Sequence, residues 1–333
     1  MRPLPSLLGA AVLVALPAAT PAAADDDSPS SFQIKDSRIT ESSGLAASRA
    51  HPGVYWTHND SSDGPYVYAV DSRTGKTVAR IVMRGIGSPR DVEAISVGPD
   101  GNVYVGDIGD NLGGQWSHVW IYRFPEPKKL RDMSVKATQF TVQYQGGPRN
   151  AEAMMVHPKT GKVYIASKSE EDGGLYQGPD TLSPSGVNVF RRIAPIDMEV
   201  TDGAFAPDGS RLVLRGYFTA AEYRWRGGKP QELDEEPGLP LQRQGEAVTF
   251  SPDGGTLMYG TEGRYSRVSA EALDGELLPD ATAEEQRKDG GGKGGSHAGS
   301  EEKDSGLTLT KAALTFAGAM VLFLGARRLF RRR

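Results

Sequence analysis

Short stretches in which apolar and polar residues alternate fill the chain between Phe32 and Leu277. Such alternation is typical of β-strands that bury one face. It predicts strands at residues 66–71, 77–84, 119–124, 137–144 and 187–193. Turns rich in Pro, Asp and Gly separate these stretches, and their chemistry favours tight antiparallel hairpins.

An internal repeat organises this region. Four segments align with one another, and a fifth matches more loosely; each combines a strand of small residues, a Pro-Asp-Gly or related turn, and a strand of β-branched and aromatic residues. The aligned positions are Ser43, Glu93, Glu152, Asp202 and Glu246, with spacings of 50, 59, 50 and 44 residues. These are blade lengths, so the sequence predicts an all-β, five-bladed β-propeller, with six blades open if one repeat has diverged.

The last repeat has room for only three strands before the chain turns acidic near Gly275. The segment at residues 32–39 can supply the fourth strand of that blade. Joining the two ends in one sheet would remove exposed strand edges, so we expect it to close the ring.

The ends of the chain carry targeting signals. A positive start, an apolar run and an Ala-Ala-Ala cleavage site predict a signal peptide over residues 1–24. A linker at 25–31 and the propeller at 32–277 follow. We then expect a disordered, Gly-rich acidic stalk at 278–306, a transmembrane helix at 307–326 and a basic cytoplasmic tail at 327–333. A buried core helix at 307–326 fits this context less well than a membrane span.

This topology places the propeller outside the cell membrane and changes the charge of the exported part. Without the basic residues of the two ends it carries 31 Lys and Arg against 42 Asp and Glu, a net charge of about −11. Such a surface disfavours nucleic acid and suits cations. The absence of Cys excludes disulfides, a cysteine nucleophile and thiolate metal sites. We expect a monomer whose partner is an extracellular protein or a small ligand.

The Phe-Ser-Pro-Asp-Gly and Phe-Ala-Pro-Asp-Gly units resemble the WD-like repeats of periplasmic and secreted propellers. The stretch from Glu41-Ser-Ser-Gly-Leu through Trp56-Thr-His-Asn-Asp-Ser and Gly106-Asp-Ile-Gly-Asp-Asn to Tyr122-Arg-Phe-Pro-Glu-Pro resembles exported actinobacterial WD-like β-propeller proteins of unassigned activity. The acidic inner strands are more distantly similar to those of phytase-like and regucalcin-like calcium propellers. These resemblances imply the fold, and the last of them implies calcium.

Carboxylates recur at one level of the repeat. Because residues i and i+2 of a strand share a face, the first strands of the blades should turn these acids toward one axis. The predicted metal ligands are Asp91, Glu93, Glu152, Asp202 and Glu246. Oxygen ligands at this density suit Ca²⁺. The alternative is that each carboxylate accepts hydrogen bonds from backbone amides or pairs with an arginine to hold the ring together.

Further polar residues accompany the acids. The candidate anion- or ligand-binding residues are Arg90, Arg149, Arg243, His58, Asp107 and Asp110. The three arginines share one repeat position and could bind a phosphate or carboxylate, or form salt bridges between blades. His58 could act as a base or fill a packing role, and the two aspartates could bind calcium or form turns. The charged residues after position 167 are interpreted as a solvated loop.

Two functions follow from these residues. The first is a membrane-anchored extracellular module that binds a ligand or a protein, since no Gly-x-Ser-x-Gly or His-Glu-x-x-His motif is present. The alternative is a calcium-dependent hydrolase of the phosphoesterase or lactonase type that uses the central-channel carboxylates. The sequence leaves open whether the protein is an enzyme.

Overall fold

A computed structural model of the chain describes residues 29–60 and 63–290. The first strands are β1 (Phe32–Gln33), β2 (Ser42–Ala47), β3 (Val54–Asn59), β4 (Tyr66–Asp71), β5 (Lys76–Arg84), β6 (Val92–Val97), β7 (Asn102–Asp107), β8 (Val119–Pro125), β9 (Met133–Lys136) and β10 (Thr138–Tyr144). Those that follow are β11 (Ala151–Val156), β12 (Val163–Ser169), β13 (Gly174–Gln177), β14 (Val187–Pro195), β15 (Met198–Glu199), β16 (Asp202–Phe205), β17 (Arg211–Arg215), β18 (Ala220–Arg226), β19 (Lys229–Glu232), β20 (Gly245–Phe250), β21 (Thr256–Thr261) and β22 (Arg267–Ala272). A 3-10 turn at Gly275–Leu277 and helix α1 (Asp280–Gly290) come last.

Antiparallel hairpins join consecutive strands into sheets, as the turn chemistry predicts. One sheet has the order β2-β3-β4-β5, and β9 adds to β5 in parallel. A second runs β6-β7-β8-β10 and continues through a parallel β10–β14 pair into β13, β12 and β11. The others are β16-β17-β18-β19 and β20-β21-β22-β1. The five strands predicted from alternation are β4, β5, β8, β10 and β14, with bounds within two residues of the prediction.

The edge strands β2, β6, β11, β16 and β20 contact one another in a cycle. In sequence order each contacts the next, and β20 contacts β2. We call these five the inner strands. The result is an all-β, nearly closed, propeller-like fold whose repeated acidic positions lie on neighbouring strands around one axis.

The N-terminal strand joins the C-terminal sheet, as predicted, although only Phe32 and Gln33 of the segment 32–39 form it. Phe32 lies opposite Val268, and Gln33 lies opposite Arg267, in an antiparallel β1–β22 pair. The Phe32 ring packs on Tyr55 of β3 with the ring centroids 5.6 Å apart. The start of the described chain therefore bridges the last sheet and the first.

Hydrophobic clusters fill the spaces between neighbouring sheets and hold the inner strands in place. The largest side chain of the first cluster, Trp56, is fully buried and meets the Phe124 ring edge-on at 6.4 Å. Its indole Nε1 donates to Glu126 Oε1 at 2.8 Å, so the one polar atom of the ring is also satisfied.

Helix α1 differs from the predicted stalk, which begins at Leu278. Leu278 is buried, Arg211 Nη1 donates to Asp280 Oδ1 at 2.9 Å, and Ala281 N donates to Asp208 Oδ2 at 2.9 Å. The segment is poor in large apolar residues, but these polar contacts dock it on β17 and the turn before it. Ordered structure thus continues past the predicted end of the propeller.

The remaining predictions about the two ends of the chain concern residues that the structure does not describe. The signal peptide at 1–24, the second half of the stalk, the span at 307–326 and the tail at 327–333 lie outside the described residues. Within the described ranges, no helix combines the length and the apolar character that crossing a bilayer requires.

Candidate functional site

Three carboxylates converge where the inner strands begin. Asp91 directly precedes β6, Glu93 lies within it, and Asp60 follows β3 of the neighbouring sheet. Oxygen atoms of all three lie within 4.8 Å of one another. We call Asp60, Asp91 and Glu93 the acidic cluster. Asp91 and Glu93 are buried, whereas Asp60 is half-buried, so the cluster opens to solvent on one side.

Neighbouring strands and loops hold the acidic cluster in position. Ser43 Oγ donates to Glu93 Oε2 at 2.9 Å, which joins two aligned repeat positions on β2 and β6. Asn111 Nδ2 donates to Asp91 Oδ2 at 3.3 Å from the loop after β7. That loop passes so close that a Cβ on Gly109 would lie 2.5 Å from Asp91 Oδ2. Only glycine therefore fits at position 109 without moving the carboxylate.

A buried ion pair lies beside the acidic cluster. Lys168 Nζ at the end of β12 donates to Glu152 Oε1 at 2.7 Å and to Tyr217 Oη at 2.6 Å. The side chains of Lys168 and Glu152 are mostly buried. Glu246 of β20 is also buried, and it lies near enough to Glu152 for each charge to be felt by the other. The carboxylates thus continue around the axis from β6 through β11 to β20.

The crowding of these acids changes their protonation. Burial, together with the nearby charge of Asp60, raises the pKa of Asp91 to about 6. Burial and the charges of Glu152 and the cluster raise the pKa of Glu93 well above its usual range. Burial raises the pKa of Glu152 to about 7 even though Lys168 opposes it, and that of Glu246 to about 8. A cation placed among these groups would favour their charged forms.

Asp202 has a different role from its repeat-mates. It is fully buried; Gly203 N donates to its Oδ1 at 2.8 Å and Val248 N to its Oδ2 at 2.9 Å. The backbone N–H of Leu45 is a third donor. The carboxylate therefore ties β16 to β20 and β2, which matches the backbone-amide alternative rather than the predicted metal ligand.

Two of the three repeated arginines are already engaged. The guanidinium of Arg90 lies 4.0 Å from the Trp116 ring centroid and 3.8 Å from that of Trp120, and its Nη2 donates to His118 O at 2.8 Å. Arg149 Nη1 lies 3.3 Å from Asp172 Oδ2. Arg243 is exposed.

Among the described residues, none of these arginines forms an ion pair with Glu93, Glu152 or Glu246. The salt bridges expected between blades are therefore not formed with these three acids. For Arg90 the reason is that two tryptophan faces and a carbonyl satisfy its guanidinium.

The remaining predicted residues are held by contacts within the protein around the site. His58 is in β3, fully buried, with Nδ1 3.0 Å from Asn59 O and no hydrogen-bond partner for Nε2; burial lowers its pKa. Asp107 accepts from the backbone N–H groups of Arg90 and Asp91 and from Tyr122 Oη, so it fixes the start of β6. Asp110 Oδ2 accepts from Trp116 N at 2.6 Å, which shapes the loop over the cluster.

Sequence reasoning missed three residues of this region. Asp60 belongs to the first repeat, and its alignment with Asp110 was the available signal. Lys168 is predicted to lie in a solvated loop, yet it extends β12 and neutralises Glu152. Arg215 is fully buried, donating to Ala247 O and Gly260 O at 2.8 and 2.9 Å. A Cβ on Gly245 would lie 1.7 Å from Arg215 Nη2, which explains a glycine at the first position of β20.

Comparison with known proteins adds only distant likenesses. No family model matches the chain, and no curated protein matches it. A gluconolactonase from Xanthomonas campestris superposes with a TM-score of 0.42 and 11% identity over 73% of this chain and 89% of that one. A provisionally named 6-phosphogluconolactonase from Bacteroides uniformis superposes with a TM-score of 0.41 and 12% identity over 71% of this chain and 69% of that one. For hydrazine synthase from Kuenenia stuttgartiensis the TM-score is 0.39 and the identity 14%, over 66% of this chain and 61% of that one. Scores this low carry no functional argument, so the function must be inferred from the site itself.

Proposed function

We propose that the acidic cluster binds one divalent cation of the Ca²⁺ type. The observation that supports this is the convergence of Asp60, Asp91 and Glu93 oxygens within 4.8 Å. Carboxylate oxygens are the donors that hard cations prefer, and Ca²⁺ accepts irregular sets of them. Ser43 and Asn111 hydrogen-bond to two of these carboxylates and would keep them oriented toward the ion.

We further propose that the protein is a cation-dependent hydrolase of phosphoesters or lactones. A bound divalent cation supplies Lewis-acid polarisation of the ester oxygen. Glu152, whose pKa of about 7 suits proton transfer near neutral pH, would accept a proton from the attacking water. The hydroxide adds to the carbonyl carbon or phosphorus, the bond to the leaving oxygen breaks, and that oxygen takes the proton. Lys168 Nζ holds Glu152 in place at 2.7 Å.

The test uses the purified full-length chain. We expect elemental analysis to find calcium, and saturating Ca²⁺ to raise the melting temperature over EDTA by about 5–10 °C. Asp91→Asn and Glu93→Gln should abolish the shift, whereas Asp234→Asn, an exposed aspartate outside the site, should keep it. Turnover of p-nitrophenyl phosphate or δ-valerolactone should be lost with EDTA and in Glu152→Gln. Finding no metal and no shift would overturn the cation site.

The alternative is an extracellular binding module. It is favoured by three exposed apolar side chains on loops next to residues of the site: Leu112, Phe218 and Leu241, exposed by 60%, 79% and 106%. Exposed apolar groups around a polar centre are typical of interaction surfaces. A protein that binds Ca²⁺ but hydrolyses neither probe would favour this function over the hydrolase.

We infer five blades for the propeller. The support is the cycle of five inner strands, matched by five repeats in the sequence. An experimental density map with six sheets around the axis would refute this number.

We also propose that the protein is a monomer exported by its signal peptide and anchored in the cell membrane by residues 307–326. The support is the sequence pattern of the two ends. Protease added to intact cells should release a fragment that contains the propeller. Recovery of the intact chain from the soluble cytoplasmic fraction would refute the proposal.

A further inference from the structure

A cavity of about 270 Å³ lies at the opposite end of the inner strands from the acidic cluster. The last residue of every inner strand lines it: Ala47, Val97, Val156, Phe205 and Phe250. Its lining on β6 runs from Ile95, two positions after Glu93, to Val97, four positions after it, so at the rise of a β-strand it begins about 7 Å from that acid. No residue of the acidic cluster lines it.

Small residues keep this end of the channel open. Ala47, Gly203 and Ala204 line the cavity and carry almost no side chain. The larger lining residues Leu45 and Phe250 are buried in the hydrophobic clusters between sheets. The core therefore fixes the walls, and the cavity exists because Ala47, Gly203 and Ala204 are too small to fill it.

Three serine hydroxyl groups in the wall form hydrogen bonds within the protein. Ser48 Oγ donates to Glu126 Oε1 at 2.6 Å, and Ser96 Oγ accepts from Val156 N at 3.1 Å. Ser251 Oγ donates to Asp253. The wall of the cavity is therefore mixed, with polar groups that hydrogen-bond within the protein beside apolar side chains.

One charged side chain remains available at the rim. Arg49 lines the cavity from the loop after β2 and is exposed. Within the described part of the chain its guanidinium has no hydrogen bond and no ion pair, unlike Arg90 and Arg149 in the same protein. A free guanidinium beside a partly apolar cavity is complementary to an anionic group attached to an apolar body.

We propose that this cavity binds a small amphiphilic carboxylate, with an aromatic ring or short alkyl chain in the cavity and the carboxylate on Arg49. An empty apolar cavity of roughly 150 Å³ is enough for a benzene ring, so this one holds a body of roughly ten non-hydrogen atoms. The proposal does not depend on the acidic cluster, because none of the cluster residues lines the cavity.

The test is calorimetric titration of the full-length chain with phenylacetate, in EDTA so that no cation contributes. We expect one binding site. Two matched probes separate the contributions: 2-phenylethanol keeps the ring without the charge, and acetate keeps the charge without the ring. Phenylethanol should bind about tenfold more weakly than phenylacetate, and acetate should not bind detectably.

Three variants locate the site. Arg49→Gln should weaken phenylacetate binding about tenfold and leave phenylethanol unchanged, whereas Arg49→Lys should keep most of the affinity. Ala47→Leu should abolish binding of both aromatic probes by filling the cavity. Arg73→Gln, at another exposed arginine, should change nothing. A melting curve checks that each variant is folded. Equal phenylacetate affinity in wild type and Arg49→Gln, or no binding at millimolar concentration, would overturn the proposal.

Discussion

Asp202 offers the sharpest test of how this ring is held together. Its carboxylate is fully buried and accepts N–H bonds from Gly203, Val248 and Leu45, which belong to three of the inner strands. Burial raises its pKa well above the usual range, against the opposing effect of these donors. If the carboxylate is a tie between strands, replacing it should lower the free energy of unfolding and leave cation binding intact.

The size of the loss follows from the bonds. Asp202→Ala leaves three buried N–H groups without an acceptor, at about 1–2 kcal/mol each, so we expect a loss of about 3–6 kcal/mol. Asp202→Asn keeps one oxygen but turns an NH₂ group toward either Gly203 N or Val248 N. One of these N–H groups then faces another donor, for a loss of about 1–3 kcal/mol.

Urea unfolding of the full-length chain, followed by tryptophan fluorescence, measures both losses, and the Ca²⁺-induced melting shift provides the second readout. Asp234→Ala, at an exposed aspartate, should stay within about 0.5 kcal/mol of wild type. Two results would refute the reasoning. One is a loss below about 1 kcal/mol for Asp202→Ala, and the other is loss of the Ca²⁺ shift in Asp202→Asn, which would return Asp202 to the set of metal ligands.

Four further predictions concern the site and its frame. Gly109→Ala should lower Ca²⁺ affinity at least tenfold in calorimetry, because its Cβ would push the Asp91 carboxylate by about 1 Å, whereas Gly87→Ala, with nothing within 4 Å, should not. Ca²⁺ affinity should rise from pH 5.5 to pH 8 with release of protons, since burial raises the pKa of Asp91 to about 6. Without cation, the free energy of unfolding should fall as the pH rises from 3.8, the ordinary pKa of an aspartate, through the pKa of about 6 that Asp91 has in the folded protein. The reason is that the folded state keeps the Asp91 proton to a higher pH than the unfolded state does. A flat profile of stability against pH would contradict this. Arg90→Lys should cost about 1–2 kcal/mol in urea unfolding by losing its stacking on two tryptophans, and a change within error would contradict it.

The repeat predicts the fold well because strand alternation and turn chemistry are local. It does not predict the parallel pairs β5–β9 and β10–β14. Strand β9 is short and half-exposed, and it pairs through backbone groups at a sheet edge, which requires no side-chain pattern. Strand β9 also explains the longest repeat spacing, the 59 residues between Glu93 and Glu152. Between β8 and β10 of one sheet, the chain forms β9, which pairs with β5 of the neighbouring sheet.

The candidate site was predictable only in part. Asp91 and Glu93, two residues apart, lie together in the acidic cluster, as their i, i+2 spacing predicts. Alignment cannot show that Asp202, at the same repeat position, turns toward backbone amides. The third cluster member, Asp60, comes from another sheet, so its approach depends on how sheets pack around the axis rather than on local sequence. Lys168 differs, because its partner Glu152 lies across the local β11–β12 hairpin; what the sequence does not show is that β12 extends to residue 169.

The two ends of the inner strands differ in chemistry, which is why we propose a different site at each end. The first residues of these strands carry polar and charged side chains, because neighbouring strands hydrogen-bond there through pairs such as Ser43 and Glu93. The last residues are apolar, from Ala47 to Phe205 and Phe250, and they line the cavity. Leu45 is the physical link between the ends: its N–H bonds to Asp202, and its side chain lines the cavity. A change at Asp202 should therefore be felt in the cavity, whereas a change at Arg49, on the outer rim, should not reach the acids.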